Sequence, residues 1–152
     1  MKFEKFLKSV GTHGEVIALN ESEKWLVCDG VGMVIPRGVD NLLGMPKTQD
    51  QASIVHALAY AEFDDPLTLV EAVLLDPTGN AKAIYRIFET DIGDKVGICN
   101  GDYGLLEKKD LLGYCEIEVP ATEEKEAFTL KFVVVYDRNN NVQGFITGSQ
   151  KF

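Results

Sequence analysis

Two histidines, His13 and His56, and three cysteines, Cys28, Cys99 and Cys115, are the residues best suited to metal binding or nucleophilic chemistry. Zinc sites place such ligands in close pairs, yet no cysteine falls within four residues of either histidine and no CxxC pair occurs. His13-Gly14-Glu15 matches the first half of the zinc deaminase signature, but the Pro-Cys-x-x-Cys half is missing. A nucleophile activated by His56 would need an elbow such as Gly-x-Ser-x-Gly, which is absent, so His56 reads as a partly buried helix residue. Asp137, Asn139 and Asn141 occupy the first ligand positions of a calcium loop. Val142 then stands where glycine is required and Ser149 where a bidentate glutamate belongs, which leaves a turn. Gly30-Val31-Gly32 is too short for a dinucleotide loop, and no Walker lysine follows any glycine run. No catalytic residue is named on these grounds, and no metal or cofactor is expected.

Carboxylates are the remaining chemical resource. Asp91 and Asp94 flank Gly93, Asp102 follows Gly101, and Glu116 alternates with Glu118. A pair of carboxylates at the right separation would serve sugar hydrolysis or a divalent cation, and the separation is set by the fold alone. On a strand Glu116 and Glu118 share one face, where like charges favour solvent.

The elements that must position these groups read as an α+β chain, a mostly antiparallel sheet of hairpins and meanders with two amphipathic helices. Phe3, Phe6, Leu7 and Val10 recur at helical spacing with Gly11 as a stop, which predicts a helix over about 3–10. Thr48 and Gln51 form a capping box ahead of an alanine-rich segment ended by Asp64-Asp65-Pro66, which predicts a second helix over about 49–62. Runs at 15–19, 24–28 and 31–35 predict a meander, with Asp29-Gly30 as a tight turn. Runs at 67–75 and 81–90 predict a hairpin around Asp76-Pro77-Thr78-Gly79-Asn80, and Arg86 on its second arm calls for a carboxylate partner or an edge position. Further strands are expected over 95–99, 113–119, 129–136 and 142–147, the last two joined at Asn139-Asn140-Asn141. Leu105, Leu106, Leu111 and Leu112 fit either a helix or a strand with a turn. A loop with Pro36, Gly38, Gly44 and Pro46 follows the meander, and an acidic loop spans 120–125.

Of the 152 residues 45% are hydrophobic and 26% charged, the balance of an ordinary globular chain, and no linker divides it, so one domain over 1–152 is expected. The net charge of -9 repels phosphate backbones and anionic lipid, which makes direct nucleic-acid binding an unfavoured function. Three cysteines in apolar runs suggest buried free thiols in a reducing compartment. No signal-peptide core or membrane-length apolar run is present, so a cytoplasmic location without membrane contact is expected.

Met1-Lys2-Phe3-Glu4-Lys5-Phe6-Leu7-Lys8-Ser9-Val10-Gly11-Thr12-His13-Gly14, continued by the stretch from Trp25 to Pro36, resembles small uncharacterised proteins encoded by phages and prophages of gut bacteria. The resemblance implies a virion component or accessory protein that acts by assembly or by binding a protein partner. The segment from Phe132 to Ile146 resembles the closing hairpin of acidic DNA sliding clamps, which implies a ring subunit with a basic inner face. The expected function is therefore a non-enzymatic assembly or protein-interaction module, by self-association or with a protein partner. A clamp-like ring subunit and a small-ligand or hydrolytic protein using a carboxylate cluster at Asp91, Asp94 and Asp102 are the alternatives.

Overall fold

A computed structural model describes residues 1–39, 52–74, 84–150 and 152. The elements in chain order are α1 (Phe3–Val10), β1 (Glu15–Ala18), β2 (Lys24–Cys28), β3 (Val31–Val34), α2 (Ala52–Ala59), β4 (Thr68–Leu74), β5 (Ile84–Glu89), β6 (Lys95–Cys99), α3 (Asn100–Tyr103), β7 (Leu111–Val119), β8 (Phe128–Tyr136) and β9 (Val142–Thr147). The fold is α+β with antiparallel sheets, as the periodicities predict.

Six strands form one sheet in the order β1-β2-β3-β9-β8-β7, and β4-β5-β6 form a second. Asp29 and Gly30 both take positive φ, 49° and 80°, the backbone a two-residue turn needs to match strand twist. The β2–β3 hairpin therefore closes tightly, with Cys28 opposite Val31. Asp137 closes β8–β9 in a similar way: its carboxylate accepts the N–H groups of Asn139 and Asn141, and Asn140 sits at φ 62°. Pairing of β3 with β9, Gly32 opposite Phe145, welds the N-terminal meander to the C-terminal one.

Both faces of the large sheet are covered, so β2 and β8 carry continuous apolar runs instead of an in-out alternation. One face, with Leu26, Met33, Val133, Val135 and Ile146, packs against Phe6 and Val10 of α1 and against Phe88, Val96 and Ile98 of the small sheet. The other face, with Trp25, Val27, Phe132, Val134, Tyr136 and Phe145, packs against Val55 and Leu58 of α2.

Several local expectations need correction. The second helix ends at Ala59, and Tyr60 to Glu62 turn away toward Asp64, whose N–H bonds the Glu62 carbonyl at 3.0 Å. Its start at 49–51, the Thr48 cap, the loop beyond Val39 and the turn at 76–80 lie outside the described residues. The leucine-rich stretch splits: Leu105 is a buried turn residue after the single turn of α3, while Leu111 and Leu112 open β7. Arg86 lies on the central strand of the small sheet, and among the described residues no carboxylate pairs with it. Its guanidinium stacks 4.8 Å over the Tyr103 ring and donates to Asn100 Oδ1 at 3.1 Å, so aromatic and amide contacts replace the missing charge. His56 is exposed, because the buried stripe of α2 runs through Val55 and Leu58. The cysteines are free thiols but only partly buried.

Candidate interaction edges

Sheet edges expose unpaired peptide groups, and two of them stand out here. β4 pairs with β5 on one side, and among the described residues no strand pairs on the other. Register slips between Leu69 and Glu71, so Val70 is a bulged residue. Leu69 is 41% exposed and Val70 53%. Thr68 lies opposite Glu89, so the β5–β6 turn with Ile92, 81% exposed, caps the same end of the small sheet.

The second edge is β7. Asp65-Pro66-Leu67 covers its first half: Leu67 N–H reaches the Leu112 carbonyl and Asp65 accepts from Tyr114 N–H, each at 2.8 Å. Beyond Tyr114 the covering chain turns off, and among the described residues the rest of β7 pairs only with β8. β9 stops at Thr147, opposite Phe132, and Gly148 N–H still reaches the Lys131 carbonyl at 2.7 Å, so among the described residues Ile117–Val119 and Phe128–Leu130 continue as a two-stranded ribbon toward the acidic loop.

Where the edge opens there is a cavity of about 390 Å³ lined by Glu62, Asp64, Asp65, Asp94 and Glu116 with Ala57, Ala61, Tyr114 and Cys115. Asp94 is thus the member of the sequence-proposed carboxylate group that joins other acids. Asp102 lies at the opposite end of β6, about 15 Å away along the strand, beside Cys99. Burial raises the carboxyl of Asp102 above its usual range, and Asp29 adds to the effect against the lowering bond from Cys99. Asp91 stays exposed in the turn. Glu62, Asp64 and Asp65 were invisible as site residues, since only the approach of the 62–65 segment to β7 assembles them. Among the described residues no three His, Cys, Asp or Glu side chains converge as a metal-ligand set.

A second cavity, about 600 Å³, lies beside the β8–β9 turn, but its acids are already engaged. Asp110 holds the Met1 ammonium at 2.9 Å and the Glu107 N–H at 2.8 Å, and Asp137 holds its own turn. Burial opposes ionisation of Glu107, yet the Met1 and Lys109 ammonium groups hold its carboxyl below the ordinary value.

Tyrosine phenols at the β7 edge set an alkaline limit. Tyr136 is buried against Phe63, donates to the Glu62 carbonyl at 3.0 Å, and is pushed up to about 12 by burial and then by Cys115 and Asp64. Tyr114 is raised by burial and by Glu116, whose Oε2 accepts its hydroxyl at 2.8 Å; burial also raises Cys115. A raised folded pKa favours the neutral form, so its stabilisation is complete below the unfolded value near 10 and is lost as pH climbs toward 12. Thermal melts should hold level through about pH 9 and drop steeply above about pH 10. A melting temperature unchanged at about pH 11 would show that these phenols ionise freely in the folded chain.

The hairpin that resembles a sliding clamp, β8–β9, lies inside the large sheet and is flanked on both sides by other strands. No helix among the described residues is long and apolar enough to cross a membrane. No family model matches the chain, and no curated protein or solved structure matches it either.

Proposed function

We propose that this chain is a non-enzymatic assembly module that associates through open strand edges, with a phage virion or accessory role as the setting its N-terminal resemblance implies. The observation that carries the reading is β4, a seven-residue edge strand with Leu69 and Val70 exposed. Soluble monomers blunt such edges with charge, proline, bulges or brevity; β4 has one bulge and one central carboxylate, Glu71, but is long, lacks proline and still leaves Leu69 and Val70 exposed. Pairing with a second copy would bury its peptide groups and both apolar side chains at once.

Light scattering across a dilution series, with a parallel run in EDTA, tests the reading. The expected result is a defined oligomer indifferent to EDTA that Val70→Lys shifts at least about tenfold toward monomer. A strict monomer at every concentration would remove the self-assembly reading.

A further inference from the structure

We propose that the open half of β7 is a docking edge for an extended basic segment of a partner protein, which adds as a strand beside Glu116–Val119. This goes beyond the assembly reading, since it uses another edge and another kind of partner.

The backbone supplies the first argument. In an antiparallel ladder the residues whose N–H and C=O face outward alternate along the strand. Leu112 and Tyr114 face outward, because their groups take Leu67 and Asp65. Glu116 and Glu118 therefore present the next outward groups, and no backbone hydrogen bond reaches them from that side among the described residues. A short piece of this chain already pairs there, which shows that the edge accepts an added strand and stops just where the acidic cavity begins.

The cavity wraps around the edge, with Ala57, Ala61 and Cys115 on the α2 side and Asp94, Tyr114 and Glu116 on the other. A strand laid on the edge would alternate its side chains between these two sides. One set would meet Glu116, Glu118, Asp65 and Asp94, and the other would meet Ile117 and the alanines. Among the described residues Glu62, Asp64, Asp65 and Asp94 carry no ion pair. Lys131, opposite Glu116, instead donates to the Lys95 carbonyl at 3.2 Å. Charge complementarity thus selects Lys or Arg at alternate positions, with small or apolar residues between. A second copy fits poorly: two β7 edges meeting antiparallel about a two-fold axis would set Glu116 and Glu118 against their own counterparts.

The probe is a fluorescein-labelled peptide of about eight residues alternating Lys with Thr or Val, followed by anisotropy in low salt. Saturable binding on the order of 10–100 μM is expected, weakened at least about tenfold by Glu116→Gln with Glu118→Gln. Methylation of alternate peptide nitrogens, with all charges kept, should abolish it. Glu118→Pro should do the same: its N–H faces outward, so the ladder to β8 survives, and thermal melts report that directly. If Glu118→Pro misfolds, the methylated peptide still decides. Binding indifferent to methylation would mean mere attraction to an acidic protein and would overturn the proposal, as would no saturable binding. A wild-type dimer dissolved by Glu118→Pro would give the edge to a second copy instead. Val70→Lys should bind the peptide normally, whereas an unsubstituted chain that is monomeric at every concentration yet binds the peptide refutes self-assembly through β4 and leaves this edge standing.

Discussion

Trp25→Ala is expected to cost about 3–5 kcal/mol, a large share of the ~5–15 kcal/mol that holds a domain of this size. Trp25 is fully buried, stacks on Phe145 with ring centroids 5.9 Å apart, and donates its indole N–H to Glu23 Oε1 at 3.2 Å. It lies on β2 between the large sheet and α2, so its loss empties the layer that Val55 and Leu58 close. The melting temperature should fall by roughly 10–15 °C. Far-UV circular dichroism must report it, because this is the chain's single tryptophan. A shift of only about 2 °C would mean that α2 collapses onto the gap.

Which parts of this arrangement could be read from the sequence follows from how local their causes are. The β2–β3 turn was legible because Asp29-Gly30 carries its own backbone requirement, and α1 because its apolar spacing and Gly11 are consecutive. The run Phe132 to Tyr136 announces a strand, and its lack of alternation announces burial on both faces. The sequence does not say which layers bury it. β4 shows the opposite case: its run announces a hairpin arm, and only strand order puts Leu69 and Val70 on an edge among the described residues. The alternation of Glu116 and Glu118 was readable as a solvent face. The acidic cavity was not, since it joins 62–65, 94 and 116 through tertiary contacts. Asp91, Asp94 and Asp102 were grouped by closeness in sequence, and a five-residue strand then holds Asp94 and Asp102 apart.

The same layer that makes Trp25 costly also makes Gly32 obligatory. Gly32 faces Phe145 across the β3–β9 ladder, and a Cβ on Gly32 would lie 2.8 Å from Phe145 Cζ and closer still to Cε1. The Phe145 ring has no room to retreat, being packed against Trp25 on one side and edge-on to Phe132, 5.8 Å away, on another. Gly32→Ala should therefore cost about 2–3 kcal/mol despite the better strand propensity of alanine. Phe145→Leu alone should also destabilise, by about 1–2 kcal/mol, through lost volume. Together they should cost less than their sum by more than about 1 kcal/mol, because the shorter side chain vacates the space that the new methyl needs. Urea unfolding followed by Trp25 fluorescence measures all three variants. Additivity within about 0.5 kcal/mol would show that the two strands spread apart instead. In that case the β3–β9 junction joining the two meanders would be a soft seam, and the sheet would hold through its hairpins rather than through its centre.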